Sequence, residues 1–419
     1  MKKVFAVILS LVILAVMATG CKSADSLLDG FPELTSPTPT QTVSPDTTNT
    51  PTPPQSPDST TSPSQPPDIT TPPTQPPVET NPDDQQNGIN YNAAFAAIPR
   101  DTVLITANGF EITWELLFFY LRSNINSLID YIGEIHDWSE VLYENTTVAD
   151  LILEAAKQNA FRCISLEYGA ALSGVALSEE DYLGIQGEFE SLALEYGGEE
   201  AFLTLIWEMD GCYSREMFDY LIGINYLANA AFNRIYGING ELLSDEEADV
   251  FAADEGYLMA KHILRLKAED GSDNALEESE KLLAALDAYK GNDFMAFFDE
   301  LMNEHSEDPD GLMMFPNGYL FQDGDMVPEF TEACIGLEPG TYSGVVETEY
   351  GYHIIYRLPL NYDEIPYMSL YYGEYDTLRY IIALKAFESK MSDWTDSLKP
   401  EYTAAYDSLD LAALFNGAQ

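Results

Sequence analysis

Two short runs, Ala260-Lys-His262-Ile-Leu-Arg-Leu266 and Tyr350-Gly-Tyr-His353-Ile-Ile-Tyr356, constrain the fold more than any other part of the chain. Each alternates its side chains in the manner of a strand buried on one face. A histidine sits at the same place in both alternations. Three of the 4 histidines (His262, His305, His353) fall between Leu258 and Leu358. Between the runs lie two stretches of helical spacing, Asn274–Lys290 and Asp293–Asn303. A turn-rich passage follows, and then Phe321-Gln-Asp-Gly-Asp-Met326-Val-Pro-Glu-Phe330, which ends in a short helix.

Taken in order, the opening His-Ile-Leu, the Gly-x-Met-x-x-x-Phe passage from Gly324 to Phe330, the Leu-x-x-Gly of Leu337 and Gly340, and the closing Tyr-Gly-Tyr-His-Ile-Ile follow the motif order of the parvulin peptidyl-prolyl isomerases. The segment resembles that family. The resemblance implies an α+β protein with a small antiparallel sheet wrapped by helices and a shallow proline pocket above the strands. On that resemblance Met326 and Phe330, with Phe321 beside them, hold the proline ring. His262 and His353 match the two histidines packed beneath it. Asp308, in Ser306-Glu-Asp308-Pro, matches a position taken by cysteine or aspartate, and Thr348 and Tyr350 match the residues before the second histidine. From residue type alone, Phe321, Met326 and Phe330 read as core, and the histidines as a pair satisfying each other's hydrogen bonds. The chain departs from the family at Pro316-Asn-Gly318-Tyr-Leu-Phe321. Gly318 stands where an apolar pocket residue is expected, leaving Tyr319 or Leu320 to fill in, and the loop after Asp308 is shortened.

Residues 1–20 read as an export signal: Lys2 and Lys3, an apolar run from Val4 to Met17, then Ala18-Thr-Gly20 before Cys21. The run is short for a membrane span, which takes roughly 20 apolar residues. Cys21 after Thr-Gly looks like a lipobox, with Ala18 where leucine is usual, so lipidation of Cys21 and membrane attachment are expected. Residues 21–89 are then an anchor and linker. Pro, Thr and Ser crowd the stretch from Phe31 to Asn81, and neither Lys nor Arg occurs between Lys22 and Arg100. Such a composition buries too little apolar surface to offset the entropy of ordering. At ~3.1 Å per residue a polyproline segment of this length reaches up to ~150 Å.

Residues 90–255 read as helical after a hairpin, Val103–Ala107 and Phe110–Ile112 around Asn108-Gly109, a pair suited to a type I′ turn. Thr113, Ser178, Ser214 and Ser244 stand where helix N-caps belong, and Ser244-Asp-Glu-Glu247 reads as a capping box. Helices are expected over Val148–Ser173, from Ser178 onward, over Ser214–Tyr236 and, beyond the central segment, over Tyr367–Leu398. A hairpin followed by helices is similar to the N-terminal chaperone region of extracytoplasmic parvulin foldases. That likeness implies that residues 361–419 return to complete the 90–255 unit, with 256–360 inserted. The apolar stripes (Phe118, Phe119, Tyr120, Trp207, Met209) fit core packing better than a client groove. Cys163 and Cys212 are expected as free thiols and Cys334 as a small core residue.

With 70 acidic residues against 19 basic ones and a formal charge of −51, the chain is ill suited to nucleic acid, which needs a basic face. No standard metal motif occurs in it, and no cofactor is implied. A zinc site from His262, His305, His353 and Asp308 conflicts with the family packing, which sets the two strand histidines against each other. A solute-binding lipoprotein would call for two similar α/β lobes, a pattern the chain lacks. The expected partners are unfolded or folding exported proteins with Xaa-Pro bonds. The expected activity is prolyl isomerisation, with a non-catalytic holdase as the alternative.

Overall fold

A computed structural model describes residues 88–267 and 274–415. The signal, Cys21 and the proline-rich stretch lie outside the described residues. Ile89, assigned above to the linker, is buried in the core.

Asn90 caps α1 (Tyr91–Ala96). Then β1 (Val103–Ala107) pairs antiparallel with β2 (Phe110–Thr113). Asn108 and Gly109 turn the corner at φ of 50° and 93°. Two successive positive φ values are the requirement of a type I′ turn, which Asn-Gly meets with little strain. Thr113 accepts the Leu116 amide and opens α2 (Trp114–Ile132), whose Trp114, Leu117, Phe118 and Leu121 are fully buried. A small hairpin, β3 (Val141–Tyr143) and β4 (Thr146–Thr147), leads to α3 (Val148–Leu172). The series continues with α4 (Glu179–Glu195), α5 (Glu199–Asp210), α6 (Arg215–Tyr236) and α7 (Asp245–Asp254). Thr147/Asp150 and Ser178/Asp181 form reciprocal capping boxes. At α7 the serine half of the expected box forms, but the Glu247 carboxylate takes the Tyr236 hydroxyl (3.4 Å).

The central segment contains β5 (Leu258–Leu266), α8 (Ala275–Ala288), α9 (Phe294–His305), α10 (Pro309–Met314), β6 (Tyr319–Phe321), α11 (Pro328–Ile335), β7 (Tyr342–Glu347) and β8 (Gly351–Leu358). The strands form one antiparallel sheet in the order β6-β5-β8-β7. Because side chains alternate, the sheet has two unlike faces. On one, Leu258, Ala260, Phe321 and Ile355 pack with Phe330 and Cys334 of α11. On the other, Met259, Ile263, Ile354 and Tyr356 join Leu286 of α8 and Phe298 and Met302 of α9. His262 and His353 belong to the first face.

Beyond the sheet, the helix expected over Tyr367–Leu398 is broken into α12 (Tyr367–Tyr372) and α13 (Leu378–Ser397). Gly373 adopts a left-handed φ of 80° and its amide bonds back to Leu370, a glycine stop. Thr377 then caps α13. The chain closes with β9 (Pro400–Tyr402), α14 (Ala404–Asp407) and α15 (Leu411–Phe415). Strand β9 adds to β1, giving a β2-β1-β9 sheet. Helix α13 packs on α3, so closely that a side chain at Gly169 would overlap the Trp394 indole. Phe232 of α6 meets both Tyr380 and Phe387 of α13. The whole is an α+β protein. Cys163, Cys212 and Cys334 are buried free thiols.

Candidate active site

Strand register builds the centre of the site. His262 lies opposite Ile355, and His353 opposite Leu264, so the histidines are diagonal neighbours on one face. Their rings stack with centroids 5.2 Å apart and planes at 12°, and the Nδ1 atoms are 2.9 Å apart. Asp308 caps α10 through Oδ1, which accepts the Gly311 amide at 3.0 Å. Its Oδ2 lies 2.9 Å from His262 Nε2 and accepts the Tyr319 hydroxyl at 2.7 Å. At the other end Thr348 Oγ1 is 2.8 Å from His353 Nε2 and accepts the Tyr350 amide at 3.2 Å.

Hydrogen-bond bookkeeping assigns the protons. The bond from His262, helped by the Tyr319 hydroxyl and the Gly311 amide, holds the Asp308 carboxyl well below the usual carboxylate range against the effect of burial. An ionised carboxylate only accepts, so His262 must carry its proton on Nε2. With that single proton on its ring, His262 accepts at Nδ1 from Nδ1–H of His353, and His353 Nε2 accepts from Thr348. Burial, and next the neighbouring His262, press the pKa of His353 down to about 3. Three bonds thus run one way, Thr348 to His353 to His262 to Asp308.

Apolar side chains cover this chain of bonds. Phe330 stands edge-on to His262 (5.4 Å, 89°) and His353 (5.6 Å, 79°). Met326 packs beside it, partly exposed. Phe321 is fully buried behind Phe330, at 5.8 Å, and supports that ring from below rather than lining an open surface. Tyr350 contributes its backbone amide, and its side chain is exposed. Gly318 has a φ of +107°, and a Cβ there would lie 2.9 Å from both the Ala260 carbonyl oxygen and Leu358 Cδ1. A larger residue has no room. Leu320 turns to the opposite face and is buried there, whereas Tyr319 comes edge-on to His262 at 5.6 Å. Sequence reasoning missed the Tyr319–Asp308 bond. The signal for it was the strand parity that sets Tyr319 opposite Ala260, on the same face as His262.

A recess of about 230 Å³, counting its open mouth, is lined by His262, Asp308, Leu312, Phe315 and Tyr319, among others. His305 lies beside Glu304 (3.9 Å), not in the histidine pair. Among the described residues no three His, Cys, Asp or Glu side chains are grouped to hold a metal ion.

A small antiparallel sheet between helices, carrying a stacked histidine pair bonded to an aspartate under an aromatic ring, defines an isomerase-like domain. Residues 262–358 match the PPIC-type PPIase domain of the rotamase family, and this part of the chain is a parvulin-type domain. A putative peptidyl-prolyl cis-trans isomerase of Helicobacter pylori is 31% identical over 143 residues, 33% of this chain and 44% of that protein. The foldase protein PrsA of Halalkalibacterium halodurans is 35% identical over 119 residues, 28% of this chain and 32% of that protein. The chain therefore spans less than half the length of these relatives. Among solved structures, PrsA from Bacillus cereus aligns with 71% of this chain and 90% of its own at 18% identity, with a TM-score of 0.26.

Proposed function

We propose that this protein is an extracytoplasmic foldase that speeds cis–trans isomerisation of Xaa-Pro bonds in exported proteins and holds unfolded clients. The observation that carries this reading is the unbroken path from Thr348 to Asp308 beneath Phe330, inside the segment that matches the isomerase family. Prolyl rotation must cross a barrier of ~18–20 kcal/mol set by amide resonance, and no bond is made or broken. Phe330 and Met326 give the pyrrolidine ring an apolar seat and keep water from the amide. Asp308 supplies a fixed negative charge. In the planar amide the carbonyl oxygen carries resonance charge, so a carboxylate nearby disfavours planar over twisted. The histidine pair holds that carboxylate in place and exchanges no proton with the substrate.

Residues 90–255 and 361–419 are assigned to one chaperone-like unit with 256–360 inserted. Attachment to the outer face of the cell membrane through a lipidated Cys21 completes the proposal. Mass spectrometry of the mature N-terminus after membrane fractionation tests the anchor, and an unmodified N-terminus in soluble material refutes it.

Activity is tested by a protease-coupled assay of the whole chain on a panel of Xaa-Pro peptides, with acceleration expected. A folded chain that accelerates none of them favours a second reading, a non-catalytic holdase. Gly318, which leaves the pocket without the expected apolar side chain, supports that alternative.

A further inference from the structure

We propose that Tyr319 is the positioning residue that locks Asp308 toward His262 and thereby sets the proton arrangement of both histidines. Its effect on rate rests on the isomerase reading; its geometry does not.

The Tyr319 hydroxyl donates to the same Oδ2 that faces His262 Nε2, at 2.7 and 2.9 Å. Asp308 is a helix cap at the rim of the site, with its side chain 19% exposed, and without a second donor its Oδ2 is free to swing toward water. The Tyr319 ring has little freedom of its own. It is tilted on Phe315 (4.7 Å), just past α10, and edge-on to Tyr367 of α12 (5.6 Å) and His262 of β5 (5.6 Å). Two glycines clear the way for it. A Cβ on Gly311 would run into the Asp308 carboxylate and the Tyr319 hydroxyl, and Gly318 has no room for a side chain beside Ala260 and Leu358. Burial and the bond to Asp308 raise the pKa of the Tyr319 hydroxyl, so it stays a donor wherever the protein is folded. With Asp308 ionised and turned inward, a proton on His262 Nδ1 instead of Nε2 would leave the carboxylate facing a bare lone pair. The tyrosine thus excludes the other tautomer.

The test uses the full chain with isotope-labelled histidine, comparing wild type with Tyr319→Phe, which keeps the ring and removes one oxygen. In wild type the spectra should give Nε2–H on His262 and Nδ1–H on His353. In Tyr319→Phe the signals of these two residues should shift or broaden, with those of His136 and His305 unmoved. The acid limb of the pH profile of kcat/KM should move upward and activity at neutral pH fall roughly 10-fold, as loss of a hydrogen bond to a charged group implies. A merely structural tyrosine would lower the melting temperature and leave the tautomers and the acid limb in place. That result overturns the proposal. If wild type shows no activity, the isomerase reading fails, and the histidine spectra still decide the role of Tyr319. If Tyr319→Phe does not fold, Gly311→Ala, whose methyl group pushes the same pair apart, must shift the same two histidines, and unchanged spectra there also overturn the proposal.

Discussion

Truncating Phe330 to alanine removes the ring that stands over both histidines, while Asp308→Asn keeps the shape and removes the charge. Loss of a buried aromatic costs ~3–5 kcal/mol of packing, and half of that lost from transition-state binding slows the reaction more than 10-fold. Phe330→Ala is expected to have no measurable isomerase activity in the peptide assay. Asp308→Asn should lose less, although a single amide oxygen cannot serve both Gly311 and the His262–Tyr319 pair. Equal losses would mean that charge, not the apolar seat, dominates. The pH dependence of stability follows from His353. An unfolded histidine takes up its proton near pH 6.5, whereas His353 does so only at about 3. Between those values the unfolded chain binds more protons, so His353 lowers stability by about 1.4 kcal/mol for each pH unit of acidification. Asp308, with a depressed folded pKa, contributes stability that is present above the unfolded carboxylate pKa of about 3.9 and is lost as pH falls toward its folded value. Urea midpoints of wild type and His353→Asn, measured from pH 7 to pH 4, should therefore converge on acidification; parallel curves would show that His353 is not held neutral by the fold.

At the scale of elements, local chemistry was legible and long-range partnership was not. Asn108-Gly109, Thr113, Ser178 and Ser214 announce a turn and three helix starts because their effects are confined to a few residues. The alternation around His262 and His353 made both strands legible, and the motif order brought Asp308 and Thr348 into the same site. Helix α10 was hidden inside a turn-rich passage, since Pro309 at its first turn and the Asp308 cap resemble turn signals at that length. Strand β9 was invisible: its exposed Pro-Glu-Tyr has no apolar alternation, and only pairing with β1 makes it a strand. The break at Gly373 was readable from the glycine but was overridden by apolar spacing on both sides. Gly318 enters β6 beside β5 with no space for a side chain, a constraint its place in the sequence does not reveal. Gly318→Ala forces a positive φ and a contact with the Ala260 carbonyl, so it should destabilise by about 1–3 kcal/mol. Thermal melts of this variant would show a lowered midpoint; an unchanged one would mean the turn relaxes freely.

For the whole molecule, the proposed insertion requires the chain to leave one unit, build another and return. The two ends of the central segment are held on the same helix. Arg379 of α13 reaches Asp245 at the start of α7 (2.7 Å), and Lys385 reaches Glu255 just after it (3.4 Å). On the return, Tyr362 bonds Asp249 (2.5 Å), and the Arg379 amide donates to the Tyr362 carbonyl (2.8 Å). Entry and exit therefore sit close together before and after the sheet is built, which is the geometry an insertion requires. The flanking segments also pack on each other, with α13 against α3 and α6 and β9 completing the β1 sheet. Replacing residues 257–360 with a short linker should leave a helical protein that unfolds in one cooperative step. Its midpoint should be lower than that of the full chain, because one apolar cluster continues from the helices into the Met259 and Ile354 face of the central sheet. The formal charge of −51 on the parent chain favours solubility of the shortened one despite the newly exposed apolar surface. Under the proposed division of labour the shortened chain still slows aggregation of an unfolded client while all prolyl isomerase activity is gone. Circular dichroism melts and a light-scattering assay read the two outcomes separately. A broad, non-cooperative melt would place the boundary elsewhere, and a cooperative melt without any holding activity would assign client binding to the central segment.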